Sequence, residues 1–296
     1  MIGVPSSAGA FANGQEGAPT ALREAGLIDR LRDAGAGVDD TGDSPVWRWR
    51  PDRARPRAQN LEAVIDQARA TRARVARASR EGAIALVLGG DCSVGIGTVA
   101  GVLDVHDSLG LIYFDLHADM NTPDSVVDGA LDWTGVAHML ALDGTDTDLA
   151  GVGGNAPMLT PEQVVLFGHG SEHATAWERE QIERLGVARV PVEEVRQDAR
   201  AAARRALALV RPRFDRYVVH LDVDVIDFTD APLSENTGRN IGLSLSVAMD
   251  ALRGLSSDDG LAALTIAELN PAHAMADEGL LERFSASVAQ SLAPAR

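Results

Sequence analysis

The sequence predicts an α/β protein, a three-layer α/β/α sandwich around a mostly parallel central sheet. Three observations carry this expectation. Apolar runs of strand length recur along the chain, each stops at glycine or polar residues, and stretches of helical composition alternate with them. A βαβα alternation buries each strand on both faces under helices and places loops that carry chemistry at the carboxyl ends of the strands.

The elements follow in chain order. Helical composition, rich in Ala, Leu, Arg and Glu, opens at residues 19–33 and returns at 61–81. The run Ala83-Ile84-Ala85-Leu86-Val87-Leu88, closed by Gly89-Gly90, reads as a buried strand, and residues 109–114, 163–167, 216–225 and 261–269 read likewise. Residues 176–185, 198–210 and 245–255 supply further helices. Residues 143–161, rich in Gly, Asp, Thr and Pro, are expected to form a surface loop or lid. Residues 45–56, with Trp47 and Trp49, are expected to make a second surface excursion or a contact between subunits. With no internal repeat and no interdomain linker, residues 1–296 are expected to form a single catalytic domain.

Composition narrows the function classes. With 45% hydrophobic and 24% charged residues, the chain can bury a sizeable core and lacks the low hydrophobicity of disordered segments. Its 43 acidic against 27 basic residues give a formal net charge of −16, which argues against a surface built to neutralise phosphates, so no nucleic acid partner is expected. The arginines of residues 48–57 and 69–80 are interleaved with uncharged residues and read as solvated faces. A single cysteine cannot form an internal disulfide. Met1-Ile2-Gly3-Val4-Pro5 lacks a basic leader, and no stretch approaches the roughly 18 apolar residues of a membrane span. No membrane partner and a cytoplasmic location are therefore expected.

Chemistry concentrates in two rows of acidic residues. Asp115, His117 and Asp119 alternate in Tyr113-Phe114-Asp115-Leu116-His117-Ala118-Asp119 at the end of an apolar run, and a strand's period of two is expected to put all three on one face. Taken alone, such a row is also read as a hydrogen-bonded loop. It does not stand alone, because His220-Leu221-Asp222-Val223-Asp224 sets Asp222 and Asp224 two apart after another apolar run. Like charges held together and partly desolvated repel, so two such rows on neighbouring strands call for one or two cations between them. Carboxylates with one imidazole suit Mn²⁺ among the common divalent ions, and a metal pair sharing carboxylates activates water for hydrolysis.

These residues carry a family resemblance. Gly89-Gly90-Asp91-Cys92-Ser93, Asp115-Leu116-His117-Ala118-Asp119 and Asp222-Val223-Asp224 with Asp227 resemble, in order and spacing, the three signature motifs of arginases, agmatinases and their ureohydrolase relatives. Gly3-Val4-Pro5, Gly17-Ala18-Pro19 and Leu22 to Leu27 look like the amino terminus of that family, and Asn236-Thr237-Gly238 and Glu268-Leu269-Asn270-Pro271 look like its later substrate-side motifs. The resemblance implies a binuclear metal hydrolase, an amidinohydrolase that attacks a small guanidino substrate with a metal-bridging hydroxide and releases urea or hydroxyurea. It implies two Mn²⁺ ions, with Asp115 and Asp222 bridging both, His117 and Asp224 completing one, and Asp119 and Cys92 completing the other. Glu268 and Thr237 would face the guanidino group, Asp119 and Glu268 would join His138 as catalytic residues, and His138 would shuttle protons. A homo-oligomer, trimer or hexamer, is also implied.

Two departures from the family pattern matter. Most members have histidine at the position of Cys92; as a thiolate, Cys92 adds a negative charge, which raises the pKa of the water between the metals and offers a softer ligand than Mn²⁺ prefers. The Cys92 position is therefore expected to hold its metal weakly or to accept another divalent ion. A less acidic water suits a substrate that is easier to attack, and the cysteine resembles that of the hydroxyarginine amidinohydrolase branch, so a linear, arginine-like guanidino compound is the expected substrate, with Nω-hydroxy-L-arginine the candidate that this branch suggests. At the substrate's amino-acid end, Phe167-Gly168-His169-Gly170-Ser171-Glu172-His173 keeps Glu172 but puts His169 where an acidic residue is expected, leaving Asn121 for the carboxylate. Two other readings use the same residues. A mono-metal, deacetylase-like amide hydrolase is opposed by the lack of any His-His dipeptide, and a non-catalytic protein with a decayed site is opposed by five retained ligands.

Overall fold

In the computed structural model, which describes residues 1–293, each of the five expected apolar runs contains a strand of one sheet. The strands are β1 (Ile2–Gly3), β2 (Ala85–Leu88), β3 (Gly110–Phe114), β4 (Val164–His169), β5 (Ala188–Pro191), β6 (Tyr217–Asp222) and β7 (Leu261–Ala267). They lie in the order β1-β2-β7-β6-β3-β4-β5, and every neighbouring pair is parallel. All carboxyl ends therefore open on one edge of the sheet, where ligands bind in open α/β folds.

The helices are α1 (Ala18–Glu24), α2 (Leu27–Asp33), α3 (Leu61–Arg80), α4 (Val94–Leu103), α5 (Gly135–Met139), α6 (Thr147–Ala150), α7 (Ala176–Leu185), α8 (Val192–Gln197), α9 (Ala199–Val210), α10 (Leu245–Ser256), α11 (Pro271–Ala274) and α12 (Leu280–Ser291). Two apolar cores separate along the strands with a period of two. Leu86, Leu88, Ile112, Phe114, Val219 and Leu221 pack with residues of α1, α2, α9, α10 and α12, whereas Ala85, Val87, Leu111, Tyr113 and Val218 pack with α3, α4 and α5. This is the expected three-layer sandwich. No helix of the described residues is long and apolar enough to cross a membrane.

Several boundaries differ from the sequence reading for local reasons. The expected helix over residues 19–33 is two helices, because Ala25-Gly26 closes α1 and Gly26 adopts a left-handed φ of 78°. Strand β5 carries only four residues and has one neighbour, so Ala188-Arg189-Val190-Pro191 shows no apolar run. Helix α4 is buried along almost its whole length and shows no polar face that would mark its period. Residues 143–161 are no open loop: α6 and the turn after it pack on α3 and α4, burying Leu149, Val152 and Leu159. The 45–56 excursion runs beside the amino terminus, where Trp47 N donates to Pro5 O at 3.0 Å and Ser7 N to Trp47 O at 2.8 Å.

The glycines after β2 are demanded by space. A Cβ on Gly90 would lie 1.6 Å from the carbonyl oxygen of Ser6, a residue bridged to Trp47. Asp91 N donates to that same carbonyl at 3.0 Å. Gly90→Ala is accordingly expected to cost about 4 kcal/mol or more, the range of severe backbone and packing defects. Urea unfolding measures it, and a loss below about 1 kcal/mol would mean that the turn moves aside freely.

Candidate metal centre

Adjacent strand ends build the site. The loop after β2 brings Asp91, Cys92 and Ser93, the loop after β3 brings Asp115, His117 and Asp119, β6 ends in Asp222 with Asp224 next, and Glu268 follows β7. Since β2, β7, β6 and β3 are consecutive in the sheet, these side chains meet.

Asp115, His117 and Asp119 converge, though not as the face of a strand. β3 stops at Phe114, and the three residues lie in a loop whose Asp119 takes a left-handed φ of 48°. Glu268, at φ 64°, shares this rare backbone state. Non-glycine residues held there are strained by about 1–3 kcal/mol, and such strain collects at functional sites.

Ligand atoms of Cys92, Asp115 and Asp119 lie within 4.8 Å of one another, and so do those of Asp115, His117 and Asp224. Asp115 belongs to both groups. Asp222 joins them, with Oδ2 3.1 Å from Cys92 Sγ and Oδ1 accepting from Asp224 N at 2.7 Å. Two buried carboxylate oxygens, Asp115 Oδ2 and Asp224 Oδ1, have no hydrogen-bond partner. A buried acceptor without a donor is costly, and carboxylate oxygens offered alongside an imidazole and a thiol fit divalent cations.

The electrostatics agree with that fit. Burial first, then Asp224, pushes Asp115 up to about 7. Burial and neighbouring acids raise Asp119, Asp222 and Glu268 well above the usual carboxylate range, and burial with Asp222 raises the Cys92 thiol. Only Asp224 is lowered: burial opposes this, but His117, with Nδ1 3.0 Å from Asp224 Oδ2, outweighs it. Burial would pull His117 down, yet Asp224 and Asp115 hold it well above the ordinary histidine value.

Glu268 is pinned at the edge of the cluster. Its Oε1 accepts from Cys92 N at 2.8 Å, its Oε2 from Gln15 Nε2 at 3.1 Å, and its own N donates to Gly90 O at 2.8 Å. Asn121 is buried, with its Oδ1 held by Thr175 Oγ1 at 2.9 Å and its Nδ2 without a partner. His169, at the end of β4, is buried with Nε2 unpartnered, and burial pushes it down to about 4. Thr237 and Glu172 are exposed; Asn236, beside Thr237, donates to Asp224 Oδ2 at 3.2 Å.

His138 is not brought to the cluster. Its ring is fully buried, Nδ1 lies 2.8 Å from Thr134 O, Nε2 accepts from Asp146 N at 3.2 Å, and burial pushes it down to about 4. Neither ring nitrogen is left for a substrate, so the expected proton shuttle lacks a working atom. The acidic group on this segment is Asp132, six residues earlier. Burial and the charge of Asp91 raise its carboxyl well above the usual range, and Asp132 in turn raises Glu268. One Asp132 oxygen accepts from Trp133 N at 2.9 Å, and the side chain is only half-buried.

The sequence reading did not single out Asp132, because its raised proton affinity comes from burial and like-charged neighbours that no local pattern shows. It also missed Gln15, Tyr113 and His220. Tyr113 Oη donates to Asp119 Oδ2, and the His220 ring stacks on Tyr113 with centroids 4.4 Å apart. Burial pushes His220 down to about 3. A signal for this pair did exist, since Tyr113 stands two before Asp115 and His220 two before Asp222, each on the face of its ligand.

Known proteins share both sequence and architecture with this chain. The family described as "Arginase family" matches residues 1–293. The arginase of Bacillus caldovelox is 33% identical, covering 78% of this chain and 77% of that protein. Arginase-1 of Homo sapiens is 30% identical over 99% of this chain and 91% of its own length. The solved native structure of the Bacillus caldovelox arginase superposes with a TM-score of 0.89 at 28% identity, covering 100% and 97% of the two chains. A formimidoylglutamase from Bacillus subtilis, at 19% identity and a TM-score of 0.73, shares the fold. With the motif order, the parallel sheet and the convergent acidic cluster in agreement, the chain belongs to the arginase family.

Proposed function

We propose that this protein is a binuclear, manganese-dependent amidinohydrolase whose substrate is a linear guanidino compound, with Nω-hydroxy-L-arginine preferred over arginine. The observation that carries the reading is the shared Asp115 between two ligand groups, beside a Glu268 that faces the same cleft. Cys92, Asp115, Asp119 and Asp222 would hold one cation, and Asp115, His117, Asp222 and Asp224 the other. When bound, two such cations supply Lewis acidity and acidify a water to serve as nucleophile.

The chain's own residues do the rest. Glu268 accepts N–H bonds from the guanidino group and aligns its carbon. Asp132, whose proton affinity burial and Asp91 raise, passes a proton to the departing amine. Asn121 Nδ2 and His169 Nε2, buried and unpartnered, face the polar end of the substrate. Thr237 and Glu172 line the exposed rim.

Cys92, standing where most of the family has histidine, favours the hydroxylated substrate. Four aspartates and a thiolate against two dications leave a water less acidic than a neutral imidazole would. An N-hydroxyguanidine is less basic than a guanidine, so more of it is uncharged at pH 7 and open to attack. It therefore needs less activation.

Four outcomes are expected. Hydroxyurea release from Nω-hydroxyarginine exceeds urea release from arginine or agmatine, and a clear preference for plain arginine would sink the substrate assignment. Asp132→Asn lowers kcat about 10²–10⁴-fold, the usual worth of a general acid or base, with metal content unchanged. His138→Gln costs stability of about 1–3 kcal/mol by disturbing a buried hydrogen-bond network but leaves kcat near wild type; the reverse pattern would restore His138 as the proton carrier. Metal analysis separates the ligand sets: Asp115→Ala loses both equivalents, whereas Cys92→Ala loses one and Cys92→His binds Mn²⁺ more tightly there. Unchanged content in both Cys92 variants would mean that the sulfur is no ligand.

A further inference from the structure

Cys92 has a neighbour that neither the motif nor the proposed chemistry employs. His220 Nε2 lies 3.1 Å from Cys92 Sγ, as close as Asp222 Oδ2 on the sulfur's other side. The ring is almost wholly buried and its Nδ1 has no hydrogen-bond partner. Orphaned buried N–H donors are rarer than orphaned acceptors, so the ring proton belongs on Nε2, where it points at sulfur.

The ring cannot turn away. It stacks on Tyr113 at an interplanar angle of 4°, and the two residues are register partners on β3 and β6. On its other side it touches Gly95 of α4, where a Cβ would approach Nδ1 to 2.6 Å. Tyr113 Oη, at the far end of the stack, donates to Asp119. One cross-strand pair thus reaches two members of the same group, Cys92 through His220 and Asp119 through Tyr113.

We propose that His220 donates a hydrogen bond from Nε2 to the Cys92 sulfur and, locked on Tyr113, is the positioning residue that makes this cysteine a metal ligand. The inference rests on the reading of Cys92 as a ligand. A hydrogen bond to a ligating sulfur fixes the direction of the lone pair left for the metal and draws charge from an over-charged set. Partners of this kind shift metal affinity by about 10–100-fold when removed. His220 and Cys92 therefore work as a unit in which the imidazole orients the ligand.

Co²⁺-loaded protein tests this independently of turnover, because sulfur ligation gives a thiolate-to-metal charge-transfer absorption. Wild type is expected to show the band and Cys92→Ser to lose it. His220→Phe, which keeps the stack and removes the donor, is expected to weaken the band and lower affinity for the second Co²⁺ equivalent about 10–100-fold, leaving the first equivalent unchanged. His220→Gln, which keeps an N–H donor, is expected to recover part of the loss. A wild-type band and affinity in a folded His220→Phe protein would overturn the role of His220 alone. If His220→Phe does not fold, the Gln variant decides against Asn, whose shorter amide cannot reach the sulfur: equal bands in the two would overturn the proposal. No band in wild type would overturn the assignment of Cys92 as well.

Discussion

Negative charge packed at one edge of the sheet is the constraint on which the site depends. Asp91, Asp115, Asp119, Asp222, Asp224 and Glu268 are all buried, and most of them are raised by burial and by one another. A fold does not concentrate such groups without compensation, since each buried, unpaired charge costs several kcal/mol. The compensation is visible in layers. Asp91 takes hydrogen bonds from Ser6, Gly9 and Ser93, Glu268 from Gln15 and the Cys92 backbone, and Asp224 an imidazolium-type contact from His117. Asp115 Oδ2 and Asp224 Oδ1 receive nothing from the protein, and that is where cations belong.

The same constraint explains the strain around the cluster. A strand continuing past Phe114 would have kept Asp115 and Asp119 on one face but about 13 Å apart, and only a tight loop brings both to Cys92. Asp119 accordingly takes a left-handed backbone, as does Glu268 where β7 turns toward Cys92. Gly90 lets the β2 turn close against Ser6, which sets Asp91 and Cys92 at the height of the β3 loop. Parallel strands with their carboxyl ends aligned supply the platform, and local strain supplies the aim.

What could be read from the sequence follows from the range over which each signal acts. Strands β2, β3, β4, β6 and β7 are buried on both faces, so their apolar runs stand out in one dimension. β5 has no such run because it lies at an edge, and α4 has no period because it is buried all round. Motif spacing placed Cys92, Asp115, His117, Asp119, Asp222, Asp224 and Glu268 in one reading, and the structure brings them to one cleft. His138 and Asp132 show where that reasoning stops. Both lie in one short segment, where the turn at Asp132–Thr134 directs Asp132 N to Gly9 O while the His138 ring is held by Thr134 and Asp146. Gln15 and His220 reach their partners across 253 and 128 residues of chain, contacts that no local pattern encodes.

Cys92 draws these strands of reasoning together, because a thiol at a cation site is coherent only if its surroundings manage its charge. Burial, and after it the acidic neighbours Asp222 and Asp119, push its proton affinity up, which disfavours the thiolate that binds a cation. Two features oppose that tendency. A bound cation deprotonates a thiol outright, and His220, buried without an acidic partner of its own, has its one free donor to give to the sulfur. The residual excess of negative charge would make a water activated by bound cations harder to deprotonate. On the function we propose, a substrate with a less basic guanidino group would tolerate such a nucleophile, and Asp132, an acid rather than an imidazole, would return a proton to the leaving nitrogen. Ligand, neighbour, acid and substrate are in this way one adjustment to a single added charge.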